Sequence, residues 1–234
     1  MLAQAAAGDA DLLDRLVTRR CAGEPLELVA GFADFAGVRV SIAPGVFVPR
    51  HRSAGLVDIA VGLLQTTIDA RTVVDLGCGT GALLAALLAR VECEAYAVDT
   101  SDAAVECARR NLAATTAKVL QGDYFDALPR TLRGRIGVVL ANLPYVPSDR
   151  IGHLPREARL YEPLAALDGG ADGLAPYRRV LGAAGAWLRP GGSYLCELSG
   201  GQLQAAEAYA VELGYSFDAL DDDQGGALIR LGAR

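Results

Sequence analysis

From about residue 55 onward, short apolar runs at 72–76, 95–98, 118–121, 136–141 and 193–198 alternate with segments whose apolar residues recur at three- and four-residue spacing. The runs suit buried strands and the segments between them suit covering helices. In the second such segment Val105, Ala108 and Leu112 fall on one face, behind the capping candidates Thr100 and Ser101. Strands alternating with helices predict an α/β fold with a mostly parallel sheet covered on both faces. Two later runs, 215–220 and 227–232, are separated only by "DDDQGG", so they are expected to pair as an antiparallel hairpin.

Ahead of residue 55 the pattern differs. Leu12, Leu13, Leu16 and Val17 make one helical stripe within 9–22, punctuated by Gly23 and Pro25. The stretch "VRVSIAPGVFVPR" reads as a hairpin: Val38, Val40 and Ile42 alternate, Pro44-Gly45 turns, and Val46-Phe47-Val48 returns. The expected organisation is a short N-terminal helix and hairpin over 1–54, followed by one α/β domain over 55–234.

Composition narrows the class without naming a chemistry. A hydrophobic content of 52% against 21% charged residues, over 234 residues, describes a folded globular chain with ample core. The net charge of −6 offers no global footprint for nucleic acid, although a local basic face stays open. Five scattered cysteines without a C-x-x-C pair, and only two histidines, argue against a metal site. The N-terminus lacks the basic region and apolar stretch of a signal peptide. No apolar run approaches the ~20 residues of a membrane span. A soluble cytoplasmic protein with no membrane partner is therefore expected.

The candidate chemistry lies where strands end. "VVDLGCGTGALLAALLA" runs a strand into Asp75, Gly77, Cys78, Gly79 and Gly81, then into a helix. Alternate glycines allow a sharp turn and let a ligand approach the backbone, while the helix start favours an anionic group. Alone this is an ordinary glycine-rich turn. The next strand ends on Asp99, placed to accept from both hydroxyls of a ribose; its plainer role is to cap the following helix. The third is followed by Asp123 and Tyr124, an acid for an adenine amino group and an aromatic for its ring. Three successive strands ending on groups suited to one adenosine ligand outweigh the separate plain readings.

These residues resemble the class I S-adenosylmethionine (SAM) methyltransferases. That resemblance implies a Rossmann-like seven-stranded sheet with an antiparallel last strand, and SAM as cofactor, released as S-adenosylhomocysteine. The fourth strand then ends on Asn142-Leu143-Pro144-Tyr145, which resembles the (N/D)-P-P-Y motif of enzymes that methylate planar NH2 groups. Such a nitrogen is a poor nucleophile because its lone pair is delocalised. A site that accepts both N–H hydrogens aims the lone pair at the methyl carbon. The Asn142 side-chain oxygen and the Leu143 carbonyl suit that task, Pro144 restrains the residue before it to an extended conformation, and Tyr145 offers a flat face.

Further stretches, "GEPLELVAG", "VFVPR", "YEPLAALDGGADGL", "LRPGGSYLCELSGGQ" and "ELGY", resemble the protein N5-glutamine methyltransferases of the release-factor-modifying type over roughly residues 20–232. The implied acceptor is a protein glutamine, on a peptide chain release factor or a similar partner. The implied cofactor-binding set is Asp75, Gly77, Cys78, Gly79, Gly81, Asp99, Asp123, Tyr124 and Asn142. Asn142, Pro144 and Tyr145 are the implied catalytic residues, and Leu143 joins them in holding the amide. Three departures stand out. The family's N-terminal helical domain is reduced here to about one helix, Leu143 replaces a proline, and His51-Arg52-Ser53-Ala54 stands where an acidic residue is usual. An RNA adenine-N6 methyltransferase, using Arg150, Arg156 and Arg159 on phosphates, is one alternative; methylation of a small-molecule amide is another. Glu197 and Gln202 match family positions and are read as a helix cap.

Overall fold

Five strands form where the apolar runs place them. The computed structural model describes residues 1–66, 71–221 and 226–233. Three short helices open the chain, α1 (Leu2–Ala6), α2 (Ala10–Cys21) and α3 (Leu26–Ala30), rather than the single one expected. At five residues each, α1 and α3 are too short to show a helical period. Asp9 caps α2 by accepting from the Leu12 N–H at 2.9 Å. Leu16 is buried against Ala6 and Val29, while Val17 faces solvent despite its place on the stripe.

The N-terminal hairpin also differs from its expected form. Its strands are β1 (Phe32–Phe35) and β2 (Val38–Ser41), with Phe35 opposite Val38. Ala36 at φ 45° and Gly37 at φ 88° make the turn, and two successive left-handed residues give the twist that a tight hairpin loop needs. Val46-Phe47-Val48 is not a strand. Pro44 and Pro49 flank it and cannot donate to a ladder. Val48 instead buries beside Phe35 and Val40, and Val46 beside Ala104 and Cys107.

The remaining elements are α4 (Ala54–Thr66), β3 (Thr72–Leu76), α5 (Ala82–Leu88), β4 (Glu94–Asp99), α6 (Asp102–Leu112), β5 (Lys118–Gln121), β6 (Ile136–Ala141), α7 (Arg156–Tyr161), α8 (Ala175–Ala184), β7 (Leu188–Ser199), α9 (Leu203–Glu212), β8 (Ser216–Asp221) and β9 (Gly226–Gly232). The sheet order is β5-β4-β3-β6-β7-β9-β8. β3 to β7 pair in parallel, and β9 runs antiparallel to both β7 and β8. The seven-stranded, mostly parallel sheet with an antiparallel last strand is therefore present. Residues 222–225, the middle of the expected hairpin turn, lie outside the described residues.

Alternate strand residues feed two cores. Val73, Ala95 and Leu140 pack under α4 and α5, while Val74, Val98 and Val139 pack under α8 and α9. Leu84 in α5 is fully buried. Its truncation to alanine is expected to cost about 2–5 kcal/mol, read as a lowered urea midpoint at unchanged slope. A loss below about 1 kcal/mol would show that α5 is loosely packed.

The topology positions the site. The chain lays β3, β4 and β5 towards one edge, then returns to place β6 on the other side of β3. Crevices for ligands open at the carboxyl ends of strands where winding reverses in this way.

Candidate active site

Leaving β3, the chain turns on Gly77 (φ 69°), Gly79 (φ 54°) and Gly81 (φ 76°), all left-handed. The amides of Gly77 and Cys78 donate to the Val98 carbonyl at 2.8 and 3.0 Å, which fastens the loop to β4. The glycines serve different ends. A Cβ on Gly81 would lie 3.1 Å from Leu112, so this glycine lets α5 and α6 pack closely. One on Gly77 would lie 3.2 Å from Leu143, which joins the glycine loop to the end of β6. One on Gly79 would meet no atom within 4 Å, because open cavity lies beside it.

At the end of β4, the Asp99 carboxylate accepts from the N–H groups of Gly79 and Ser101, each at 2.9 Å. The helix cap is Ser101 itself, whose hydroxyl accepts from Ala104. After β5, Tyr124 is held at φ 48°, an uncommon conformation for an aromatic residue. Arg179 of α8 pairs with Asp123 and lies 5.2 Å over the Tyr124 ring. No sequence signal connected Arg179 to this loop.

β6 ends in the densest polar cluster. Asn142 Nδ2 donates to Ser53 Oγ at 3.0 Å, and Ser53 donates to Glu197 Oε2 at 2.6 Å. The Tyr145 hydroxyl donates to Glu197 Oε1 at 2.9 Å, and Arg52 pairs with the same oxygen. Glu197 is therefore not a helix cap. It lies in the buried interior of β7, where a carboxylate must find partners. Gln202 does close a capping box with Ser199, and its Nε2 also donates to the carbonyls of Tyr145 and Asp172. The lone charge inside the apolar stretch "YLCEL" was the sequence signal for Glu197; Ser53 had none beyond its place in a divergent stretch.

These strand ends line one cavity of about 1140 Å³, larger than the roughly 300–1,000 Å³ usual for a single small ligand. Of the residues singled out in the sequence, Gly77, Cys78, Gly79, Asp99, Asp123, Tyr124, Asn142, Leu143, Pro144 and Tyr145 line it; Asp75 and Gly81 do not. On the far wall stand Pro25, Glu27 and the segment around α7. Arg20 pairs with Glu157 at 2.8 Å and Arg156 donates to the Ala22 carbonyl, tying the N-terminal helices to that wall. Arg159 donates to the Leu154 carbonyl, so two of the arginines considered for RNA phosphates serve the local fold.

Asp75 is fully buried in β3, and among the described residues neither of its oxygens meets a donor. Burial, with the Asp99 charge adding to it, pushes its carboxyl up to about 8. The folded protein thus holds a proton that the unfolded chain, with an ordinary carboxylate near 3.8, gives up. Stability from this group is full below about pH 4 and declines as pH rises towards 8. The Asp75→Asn variant is expected to lose that part of the decline, checked by urea titrations between pH 5 and 8. Equal slopes for the two proteins would mean that Asp75 is ionised when folded.

Parallel strands, a glycine turn and a strand-end carboxylate around one crevice define a class I methyltransferase fold. Residues 37–152 match the methyltransferase small domain family. The chain is 36% identical to a release factor glutamine methyltransferase of Moorella thermoacetica, over 91% of this chain and 74% of that protein. It is also 36% identical to a 4-amino-L-phenylalanine/4-methylamino-L-phenylalanine methyltransferase of Streptomyces pristinaespiralis, over 82% of this chain and 67% of that one. Among solved structures, a methyltransferase from Pyrococcus furiosus shares the fold at a TM-score of 0.60 and 19% identity, covering 85% of this chain and 90% of the other. The chain belongs to the release factor glutamine methyltransferase family. It spans just under two thirds of the length of several relatives of that name, 63% for the one from Gloeobacter violaceus, which is 39% identical over 76% of this chain.

Proposed function

We propose that the protein transfers a methyl group from SAM to a planar amide nitrogen, the side-chain N5 of a glutamine in a protein partner of the release-factor type. The observation that carries this is the placement of Asn142 to Tyr145 on the same cavity as the glycine loop, at the ends of the directly paired strands β6 and β3. The cavity fits SAM on its own features: a left-handed Gly79 with open space beside it, and a carboxylate at the tip of β4. Its size leaves room for an acceptor as well.

When bound, SAM supplies a methyl group on a positively charged sulfur. Asp99 would accept from the ribose hydroxyls while keeping the Gly79 amide, and the open backbone surface beside Gly79 would take the methionine end. Tyr124 would offer its ring to the adenine, and Asp123 would reach the adenine amino group by sharing or exchanging its bond to Arg179. Asn142 accepts one N–H of the acceptor through Oδ1, and the Leu143 carbonyl accepts the other. Leu143 does this through its backbone, so replacing the proline usual at that position keeps the acceptor; its side chain packs towards Gly77. On transfer the S–CH3 bond of bound SAM would break as the N–CH3 bond forms, and one N–H proton would be released. The task of these residues would therefore be to orient the nitrogen in a dry pocket rather than to supply a strong base.

Residues 1–54 are assigned to the acceptor side and 55–234 to methyl transfer, with the cytoplasm as the expected compartment. The test is labelled-methyl transfer from SAM into a lysate lacking the enzyme, resolved into protein, RNA and small-molecule fractions. Label on a glutamine of a release-factor-sized protein is expected. Label confined to RNA or to small amines would overturn the acceptor assignment.

A further inference from the structure

We infer that Glu197 sets the hydrogen-bond polarity of the acceptor grip, acting on Asn142 through Ser53 and on Tyr145 directly. Ser53 and Glu197 are then positioning residues for methyl transfer, an inference that rests on the role proposed above for Asn142.

The chemistry follows from one constraint. An ionised carboxylate can only accept hydrogen bonds. Glu197 is 2% exposed, and the Arg52 guanidinium lies 2.5 Å from its Oε1. Its two oxygens therefore oblige both hydroxyls beside them, Ser53 at 2.6 Å and Tyr145 at 2.9 Å, to donate. Ser53 has a single proton and gives it to Glu197. Towards Asn142, 3.0 Å away, its oxygen can only accept, so the group facing it is Nδ2. A flipped amide would set two acceptors against each other. Among the described residues no donor meets Asn142 Oδ1, which is left free to accept from an acceptor N–H.

Amide orientation is ordinarily a choice made from surrounding hydrogen bonds. Here one buried charge makes it, two hydrogen bonds away from the Asn142 amide. The same charge fixes Tyr145, whose ring also has the Arg52 guanidinium 5.6 Å from its centroid. β7 carries Glu197, the segment leaving β6 carries Asn142 and Tyr145, and the turn before α4 carries Ser53, so three separate parts of the chain are brought to one polarity.

The test uses the full chain and four variants: Ser53→Ala, Ser53→Thr, Glu197→Gln and Asn142→Ala. The first readout needs no acceptor. The side-chain amide pair of Asn142, assigned by its loss in Asn142→Ala, is followed by 1H–15N spectroscopy. Ser53→Ala and Glu197→Gln are expected to move that pair and speed its exchange with solvent, while Ser53→Thr restores it. The second readout is methyl transfer to a purified bacterial release factor. Ser53→Ala and Glu197→Gln are expected to lower kcat about tenfold or more with the Kd for SAM changed by less than about twofold, and Ser53→Thr to recover most of the rate.

Unmoved amide signals in both Ser53→Ala and Glu197→Gln would overturn the inference, as would full transfer by both. If Asn142→Ala still transfers methyl, the proposed role of Asn142 fails instead. Loss in Asn142→Ala beside full activity in Ser53→Ala sinks the polarity inference alone. Should the acceptor be a different molecule, the amide signals decide the matter by themselves, and the Ser53 pair decides it if Glu197→Gln does not fold.

Discussion

Replacing Asn142 by alanine is expected to lower kcat for methyl transfer by about 10²–10³-fold while leaving the Kd for SAM within about twofold. The size follows from the nature of the acceptor. An amide nitrogen presents its lone pair to an incoming methyl only when its hydrogens are held, and Asn142 supplies one of two acceptors for them. Its Nδ2 is already committed to Ser53 at 3.0 Å, so the remaining oxygen is held in place before an acceptor arrives. Alanine leaves the Leu143 carbonyl, which rises with the backbone and stays in place, but a nitrogen gripped by one hydrogen can rotate away. SAM affinity is expected to persist because the glycine loop and Asp99 are fastened to β4 rather than to Asn142. Single-turnover transfer and calorimetric SAM binding separate the two effects. A parallel loss of SAM binding would assign Asn142 chiefly to the cofactor, the second role its sequence position implied.

Asp99→Ala is expected to act in the opposite sense, raising the Kd for SAM by about 10–100-fold, since hydrogen bonds to a charged group contribute roughly 1.5–3 kcal/mol. Two losses combine. The carboxylate that accepts from ribose hydroxyls disappears, and so does the acceptor that holds the Gly79 amide at 2.9 Å. Gly79 sits where open cavity meets backbone, so a loosened loop also blurs the surface the cofactor touches. The cap of α6 survives, because Ser101 makes it independently. The variant should therefore fold, with a modest loss of stability from the Gly79 and Ser101 amides that lose their acceptor. Asp99→Asn, which keeps one acceptor oxygen, is expected to fall between the two proteins. Unaltered SAM binding by Asp99→Ala would place the ribose elsewhere in the cavity.

Much of the fold was legible because burial leaves a periodic trace. The central strands are apolar on both faces, so each run appears as an uninterrupted stretch, and 136–141 matches β6 residue for residue. The N-terminal hairpin escaped because Val46-Phe47-Val48 has the composition of a strand and sits beside a Pro-Gly turn. Composition does not report that two prolines deny it a ladder. Ala36-Gly37 is the true turn, and an alanine at positive φ gives no warning in a sequence.

The site divides in the same way. The residues at the tips of β3, β4, β5 and β6 could be named from the chain alone, because a topological switch point gathers strand ends whatever the side chains are. The sequence by itself therefore determined the sheet, the glycine turn and the carboxylate, amide and aromatic that line the cavity. Only the tertiary structure decided which of them touch it. Asp75 and Gly81 turn away into packing, while Ser53 and Glu197, 144 residues apart, meet at 2.6 Å beneath Asn142. The reason is physical. Periodicity encodes which face of an element is buried, a local property, whereas a hydrogen bond between distant elements depends on how those faces are brought together.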